Sequence, residues 1–490
     1  MKDVSLALLT DFYQLSMAYA YWKAGIDQRR AVFHLFFRRP PFKGGFTIAC
    51  GLESVIHFIN NFAYSAADLD YLAALKNPLG APRFDSSFLE MLGTLKLQVS
   101  IDAVSEGRVV FPYEPLLRVE GPLLQCQLLE SPLLNLINFP TLIATKAARV
   151  CLAAQGDRVM EYGLRRAQGV DGALTASRAA FIGGCDLTSN VLAGKEFGLP
   201  VQGTQAHSWI MAFDDEEEAF KAYAKIYPDT SLFLVDTYDT IEGVKKACLV
   251  GQMLQKRGHR MVGIRLDSGD LAQLSIESRK LLDEAGLEEA EIMASNELDE
   301  IVISELKRQG AKISLWGVGT NLVTGKDQPA LDGVYKLSAI QDHKGRWKYT
   351  LKLSEQLAKV SNPGRLQVKR FSYKGHYVGD LIYDLEIGLP DPKNNVDPFD
   401  PTLQCVIEDK YSSEDLLFPI FTEGKCVYTS PTLKEIQKKT KEELACLPVG
   451  VKRFLNPHTY PVGMEKGLYD LKVRLIKKIR KTTRGEHHGQ

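Results

Sequence analysis

Five apolar runs decide the fold of this chain: PVQGTQAHS (200–208), SLFLVDTYD (231–239), MVGIRLDSGD (261–270), EIMASNE (291–297) and ISLWGVGT (313–320). Each run is apolar like a buried strand and ends in polar residues or glycine, and charged, helix-patterned stretches separate the runs. The ends, His207, Asp236, Asp267, Asn296 and Gly317, recur about 30 residues apart, with a shorter last gap. Repeated strand–helix units of this length predict a parallel sheet closed into an α/β barrel, with its chemistry at the carboxyl ends of the strands.

The stretches between the runs carry helix boundary signals. Acidic residues open the segment 214–228, which stops at Pro228, and Gly258, Gly286 and Gly310 follow three further helix patterns. The segment 176–198 is expected to form one helix, and 128–154 either one long helix or two helices separated at Pro140. Because it contains four prolines, 389–401 is expected to be a loop.

Composition excludes several classes of protein. Lys plus Arg and Asp plus Glu both total 60 in 490 residues, so neither nucleic acid nor an anionic membrane is expected as the main partner. The eight cysteines show no metal-binding or CxxC spacing, which is typical of a reducing cytosol. Charged residues and prolines interrupt the apolar stretch 123–154, and the N-terminus lacks the pattern of a signal peptide, so we expect a soluble cytoplasmic protein with no membrane span. The basic, amphipathic C-terminal stretch 468–490 is expected to be a solvated helix with a frayed tail; binding to nucleic acid or a membrane is its alternative.

Three side chains at the run ends are candidates for catalysis. His207 follows Gly203, Thr204 and Ala206, whose small side chains let a ligand approach the backbone; the alternative is a structural histidine. Arg265 and Asp267 alternate along a strand and so point to the same side, either as a functional pair or as a structural ion pair.

Other segments are candidates for binding anions or a flat ring. Ser295 and Asn296, and the GVGT loop with Gly317, Gly319 and Thr320, stand where barrels commonly bind phosphate. Arg165 and Arg166 are suited to carboxylate or phosphate, although neighbours on a strand face opposite ways, so only one points inward; rim salt bridges are the alternative. Tyr13 lies in an aromatic, helix-patterned segment and is a candidate for stacking on a ring, although such a segment usually packs in a core.

Taken together, these segments resemble the nicotinate phosphoribosyltransferase family. The resemblance rests on ordered blocks that cover most of the chain: TDFYQLSMAY (10–19), GLRRAQG (163–169), SRAAFIGGCDLTSNVLAGKEFGLPVQGTQAHS (177–208), LVDTYDT (234–240), GIRLDSGDL (263–271), SNELDE (295–300), GVGTNLVT (317–324), GVYKL (333–337), KLSEQLAKVSNPG (352–364) and NPHTYPVG (456–463). It implies the type II phosphoribosyltransferase fold: an irregular TIM-like α/β barrel with a smaller α/β domain built from the N- and C-terminal parts of the chain. We expect an N-terminal domain at 1–135, the barrel at 136–345, and a C-terminal segment at 346–490 that packs back on the N-terminal domain.

The resemblance also implies an activity. Nicotinate and phosphoribosyl pyrophosphate would give nicotinate mononucleotide and pyrophosphate, coupled to ATP hydrolysis, in the first step of the Preiss–Handler route of NAD salvage. Departure of pyrophosphate requires cations, so Mg²⁺ is expected as a cofactor and ATP as a co-substrate, although the sequence does not identify the metal ligands. A homodimer with shared active sites is implied as well.

Residue roles follow from the same resemblance. His207 is similar to the histidine that ATP transiently phosphorylates, and Arg265 and Asp267 to the pair that holds ribose and phosphates. Arg165 is similar to an arginine near the nicotinate and phosphate groups, and Tyr13 to a tyrosine that stacks on the pyridine ring from the partner subunit. The remaining expected substrate-binding residues are Ser189, Thr204, Asp236, Ser295, Asn296, Gly317, Gly319 and Thr320.

Four alternatives stay open on the sequence. A nicotinamide phosphoribosyltransferase of the same fold would need an acid near Ser189, and Asp186 is close by. A quinolinate-specific enzyme would favour a more basic pocket and a shorter chain. A type I phosphoribosyltransferase would need adjacent acids and a Thr-Thr-Gly loop, which LFLVDTYDTIEG (232–243) lacks. A non-enzymatic nucleotide sensor would not need the ionisable groups at the run ends.

Overall fold

The chain folds into two compact units. The computed structural model describes residues 6–356 and 359–485. The first unit takes the described residues of Met1–Thr141, Ala330–Thr432 and Lys441–Gln490, and the second takes Leu142–Pro329 and Leu433–Thr440. Both units are assembled from separate segments of the chain. The three-part division expected from the sequence stays a prediction.

The N-terminal third of the chain alternates helices and short strands. Its elements are α1 (Phe12–Lys23), β1 (Arg30–Phe36), β2 (Thr47–Ile48), α2 (Leu52–Asn60), α3 (Ala66–Ala74), α4 (Ser86–Gly93), β3 (Ser100–Val104), β4 (Val109–Val110), β5 (Leu117–Pro122), α5 (Leu123–Leu128) and α6 (Glu130–Ala154). Helix α6 contains Pro140, so the structure has one helix here and not two.

The second unit is a strand–helix series. Its elements are β6 (Arg158–Glu161), α7 (Gly169–Gly183), β7 (Leu187–Thr188), α8 (Val191–Phe197), α9 (His207–Met211), α10 (Glu216–Ile226), β8 (Leu232–Leu234), α11 (Thr240–Lys256), β9 (Gly263–Leu266), α12 (Leu271–Glu284), β10 (Glu291–Ala294), α13 (Glu300–Arg308), β11 (Leu315–Val318) and α14 (Thr320–Val323). Strands β6 to β11 form a parallel sheet in the order β7-β6-β11-β10-β9-β8. Within the described residues, no ladder joins the edge strands β7 and β8.

The rest of the chain is mainly strands. Its elements are β12 (Val334–Gln341), β13 (Trp347–Tyr349), β14 (Leu366–Tyr373), β15 (His376–Asp384), β16 (Asn394–Val396), β17 (Gln404–Val406), β18 (Ser412–Asp415), β19 (Leu417–Thr422), β20 (Lys425–Cys426), α15 (Leu433–Cys446), β21 (Val462–Glu465) and α16 (Lys466–Gly485). The expected loop 389–401 therefore contains a strand, β16, whose Val396 is buried. The C-terminal stretch is a helix as far as it is described, and the expected frayed tail 486–490 lies outside the described residues.

The first unit is built on antiparallel pairing. One sheet has the order β13-β12-β1-β5-β3-β19-β20, and a second, mixed sheet has the order β17-β16-β21-β15-β14-β18. The side chains between them form a large apolar core, in which Phe33 and Tyr335 stack at 4.8 Å between ring centroids. Strands from both ends of the chain thus share one unit, as the resemblance implies, and the mixed α/β fold with a parallel sheet is confirmed.

Local chemistry explains the regularity of the parallel unit. Aspartates cap the N-termini of four successive helices by accepting backbone N–H groups: Asp215 (α10), Asp239 (α11), Asp270 (α12) and Asp299 (α13). The predicted glycine stops after α11, α12 and α13 are confirmed, since Gly258, Gly286 and Gly310 have φ of 79°, 73° and 84°.

Two predicted elements are corrected. The expected helix 176–198 is interrupted by β7, because Gly184 with φ of 122° ends α7. The run 200–208 is not a regular strand: Val201 makes a single parallel bridge to Thr188 before the chain turns into α9. This open stretch carries Thr204 and leads to His207.

The apolar stretch Leu123–Ala154 is long and apolar enough to cross a membrane by length and composition. However, 72% of its most apolar window is buried inside the protein, which is typical of a core helix.

Candidate functional site

Polar side chains gather at the carboxyl edge of the parallel sheet. The segments that follow β8, β9 and β10 supply Asp236, Asp267 and Ser295, and the open stretch before α9 supplies Thr204 and His207. Because parallel strands all end at the same edge, groups far apart in sequence come into contact here.

Arg265, the third residue of β9, is the centre of this cluster. Its Nε donates to Ser295 Oγ at 2.8 Å, one Nη to Thr204 Oγ1 at 3.2 Å, and the other Nη to Asp267 Oδ1 at 2.9 Å. The guanidinium also lies 5.4 Å from the centroid of the Tyr162 ring. These contacts use three of the five guanidinium N–H groups, so two remain for an anionic ligand within the described part of the chain.

The Asp267 carboxylate is ionised in this setting. Burial opposes its charge, but a hydrogen bond from Ser295 and the charge of Arg265 outweigh that effect and hold the pKa of Asp267 below its usual value. The predicted pairing of Arg265 and Asp267 on one side of the strand end is confirmed.

In the second carboxylate, that of Asp236, only one of the two oxygens accepts hydrogen bonds. Its Oδ2 accepts the backbone N–H of Asp267 at 3.0 Å and the hydroxyl of Ser268 at 2.6 Å. Its Oδ1 is buried and has no hydrogen-bond partner within the described residues. Across those residues, no group of three or more His, Cys, Asp or Glu side chains is placed to hold a metal ion by itself.

His207 is the first residue of α9 and lies near the carboxylate of Asp267. Its Nδ1 lies 3.1 Å from Thr237 Oγ1, and its Nε2 lies 3.9 Å from Asp267 Oδ2. The side chain is 42% exposed, so it is oriented by the strand ends and still open to a reactant.

The loop after β10 has a strained backbone. Asn296 and Glu297 have φ of 83° and 39°, a region that non-glycine residues seldom adopt. The Asn321 side chain holds this loop by donating to the carbonyls of Glu297 at 3.0 Å and Leu298 at 3.1 Å.

The GVGT segment is divided between a strand and a turn. Gly319 and Thr320 lie after the end of β11 as expected, but Gly317 lies inside β11, so its expected place in a loop is wrong. A Cβ at Gly317 would lie 2.6 Å from Met293 Cε and 2.8 Å from the Tyr162 ring. The glycine therefore makes room for Tyr162, the ring beneath Arg265.

A cavity of about 270 Å³ adjoins the cluster. It is lined by Tyr162, Leu164, Arg165, Ser189, Gly203, Thr204, Gln205, Ala206 and Arg265. Arg165 does not lie on a strand as expected, but in the 3-10 turn Leu164–Arg166, so the alternation argument does not apply to it. The cavity nevertheless brings it together with Ser189 and Thr204.

Asp186 lies away from this cavity. Its carboxylate accepts the backbone N–H of Val159 at 3.0 Å, near the amino ends of β6 and β7, whereas Ser189 follows the carboxyl end of β7. The acid that a nicotinamide-specific site would need is therefore not supplied by Asp186.

Tyr13 lies in the other unit, on α1, with 49% of its surface exposed. Partial burial, and then the charges of Glu130 and Asp11, raise the pKa of its hydroxyl, so this side chain is a neutral phenol.

Sequence patterns missed three residues of the site: Tyr162, Gln205 and Thr237. Tyr162 directly follows β6 and Thr237 lies three residues after β8, and this closeness to a strand end is the signal that the sequence offers for them. For Gln205, the only signal in the sequence is its position two residues before His207.

Family comparisons agree with this geometry over nearly the whole chain. Residues 8–138 match the nicotinate phosphoribosyltransferase (NAPRTase) N-terminal domain, 158–347 match the nicotinate phosphoribosyltransferase (NAPRTase) family, and 365–472 match the nicotinate phosphoribosyltransferase C-terminal domain.

Individual relatives give the same result. A nicotinate phosphoribosyltransferase of Bacillus subtilis (strain 168) is 42% identical, with coverage of 98% of this chain and 97% of the relative. The Homo sapiens nicotinate phosphoribosyltransferase is 35% identical, with 95% of each chain covered. A crystal structure of human nicotinic acid phosphoribosyltransferase superposes with a TM-score of 0.81 at 32% identity, covering 95% of this chain and 99% of the other.

Proposed function

Because the chain belongs to the nicotinate phosphoribosyltransferase family, we propose that it is an enzyme that joins nicotinate to phosphoribosyl pyrophosphate. The products are nicotinate mononucleotide and pyrophosphate, in the first step of the Preiss–Handler route of NAD salvage. The observation that carries the proposal is the cluster of Arg265 with Asp267, Ser295 and Thr204 at the carboxyl edge of the sheet.

The reaction breaks the bond between ribose C1 and pyrophosphate and forms a bond from C1 to the pyridine nitrogen. The leaving group is highly negative and the sugar becomes positive, so fixed charges are what the site must supply. The two free N–H groups of Arg265 bind phosphate oxygens, and the ionised Asp267 both orients Arg265 and stabilises positive charge on the sugar. Three hydrogen bonds hold Arg265 before substrate arrives, so little reorganisation is needed.

The carboxylates of Asp236 and Asp267 fit a magnesium ion. Mg²⁺ is usually held by one or two carboxylates together with substrate phosphates, and the buried Oδ1 of Asp236 lacks any other partner among the described residues. When bound, the ion supplies positive charge for the pyrophosphate.

ATP acts as a co-substrate through His207 in this proposal. Transfer of the γ-phosphoryl group to an imidazole nitrogen, followed by hydrolysis, converts ATP to ADP and phosphate. By analogy with other phosphorylated side chains, the phosphoryl group would add about −1.5 to −2 charges beside Asp267. Thr237 and Asp267 orient the ring, and its 42% exposure leaves it accessible to ATP.

The cavity selects nicotinate over nicotinamide by charge. Arg165 lines it with a cationic side chain suited to a carboxylate, and Asp186 is directed elsewhere.

We also propose a cytoplasmic homodimer. Tyr13 and its neighbour Phe12 are about half exposed on α1, so a second copy of the chain could bury both rings in an interface. In such a dimer, Tyr13 of one subunit would stack on the pyridine ring bound by the other.

Turnover of two bases tests the activity. Purified protein with phosphoribosyl pyrophosphate, Mg²⁺ and ATP should convert nicotinate to its mononucleotide and use nicotinamide poorly. Equal turnover of the two bases would exclude the specificity, and no turnover of either would exclude the function.

A matched pair of histidine variants tests the coupling. His207→Ala should abolish acid-labile labelling from γ-labelled ATP and leave weak ATP-independent synthesis. His259→Ala is the control, because His259 is similarly exposed and lies 3.1 Å from Asp229. Persistent labelling of the His207 variant would place the phosphosite elsewhere.

Asp236→Asn should raise the Mg²⁺ concentration needed for half-maximal rate, because it removes one of the two carboxylates proposed to hold the ion. An unchanged Mg²⁺ requirement would show that Asp236 is not part of the metal site.

A further inference from the structure

Gln205 lines the site cavity, and its side-chain amide is unpaired. The residue is 6% exposed, and both Nε2 and Oε1 are buried without a hydrogen-bond partner in the described part of the chain. Buried polar atoms are paired in the great majority of cases, so an amide with neither atom paired requires an explanation.

Its position connects it to the reacting groups. Gln205 lines the cavity together with Arg165 and Ser189, and its backbone oxygen accepts the Thr204 hydroxyl at 3.3 Å. Thr204 in turn accepts from Arg265, so the backbone of Gln205 is linked through Thr204 to the group assigned to the phosphates. A ligand that fills this cavity meets a wall that contains Gln205, Arg165 and Arg265.

We propose that Gln205 is a substrate-binding residue whose amide hydrogen-bonds the exocyclic group of the pyridine substrate, an assignment that rests on the proposed function. A carboxylate only accepts hydrogen bonds, so Nε2 serves nicotinate. A carboxamide also donates, so Oε1 serves nicotinamide after rotation of the amide. Gln205 thus permits both bases, and the charge of Arg165 gives nicotinate its advantage.

Two substitutions separate this role from a structural one. Gln205→Met keeps the shape and removes both polar atoms, and should lower kcat/KM for nicotinate by roughly 10- to 100-fold, the effect of losing a hydrogen bond to a charged group. Gln205→Glu should lower the ratio of kcat/KM for nicotinate to that for nicotinamide by about 100-fold or more, because like charges strongly oppose binding. That ratio is independent of how much of a variant is folded.

Gln202→Met is the matched control, since Gln202 lies in the same segment, 200–208, but does not line the cavity. Its kinetics should equal those of the unchanged protein. If Gln205 were only structural, Gln205→Met would leave kcat/KM unchanged and Gln205→Glu would leave the ratio unchanged; either result overturns the proposal. Failure of the unchanged protein to use nicotinate would instead refute the proposed function.

Discussion

Replacing Arg265 by lysine tests the electrostatic argument most directly. Lysine keeps the positive charge but has one nitrogen, and it cannot reproduce the planar fork that contacts Ser295, Thr204 and Asp267 together. We therefore expect Arg265→Lys to lose activity although the net charge of the site is unchanged.

The magnitude follows from the lost bonds. A hydrogen bond involving a charged group contributes about 1.5–3 kcal/mol, and lysine forfeits at least two of the three. The loss is therefore about 3 kcal/mol or more, which corresponds to a fall in kcat/KM of at least about 100-fold. Because the site is preorganised by these same bonds, kcat should fall as well as the affinity for phosphoribosyl pyrophosphate.

The assay is nicotinate mononucleotide formation at varied phosphoribosyl pyrophosphate, with thermal unfolding measured on the same samples. Arg279→Lys is the control, since Arg279 also makes three contacts in this unit, to Asp283, Ala290 and Leu287, but lies on α12. It should lose stability without a comparable loss of kcat/KM. Activity of Arg265→Lys within tenfold of the unchanged enzyme, or an equal loss in both variants, would refute the reasoning.

Three further outcomes follow from the site and its support. The lowered pKa of Asp267 contributes stability that is fully present above the ordinary carboxyl pKa of about 3.9 and is lost as the pH falls through its folded value. In Asp267→Asn, the free energy of unfolding from denaturant titrations should therefore fall less steeply as the pH is lowered. An unchanged dependence on pH would contradict the assignment. Gly317→Ala should cost about 1–3 kcal/mol in urea unfolding and disturb Tyr162, since its methyl group overfills the site; unchanged unfolding and kinetics would contradict this. Glu300→Gln removes the buried carboxylate that pairs with Lys146 and Arg149 and should cost about 3–5 kcal/mol in the same measurement, whereas a loss typical of surface pairs, below about 1 kcal/mol, would show that these pairs are not effectively buried.

The sequence could identify Arg265 and Asp267 because a strand alternates its side chains strictly, and two positions separated by one residue must share a face. It could also locate the glycine stops, since a left-handed residue after a helix strongly favours glycine. Both rules depend only on neighbours in the chain.

Residues whose role depends on distant packing could not be derived in this way. The letters GVGT do not show whether the first glycine lies in a strand or in a turn; Gly317 belongs to β11 because it pairs with Met160 of β6, which is far away in sequence. The two-residue strand β7 has too few positions to show a period, so its residues fit the helix pattern of the segment around them. The unpaired amide of Gln205 is visible only once its surroundings are known.

The last segment of the parallel unit has a consequence for biosynthesis. Leu433–Thr440 belongs to this unit, and within it Gln437 donates to the carbonyls of Phe181 at 2.9 Å and Cys185 at 2.8 Å. Leu433 also packs against the apolar cluster that contains Phe181 and Leu199. When residue 329 has left the ribosome, all strands of the parallel sheet have therefore been synthesised, but the segment Leu433–Thr440, which packs against this cluster, has not. For more than a hundred further residues the nascent chain carries an uncovered apolar surface, and this interval is when we expect it to depend most on chaperones.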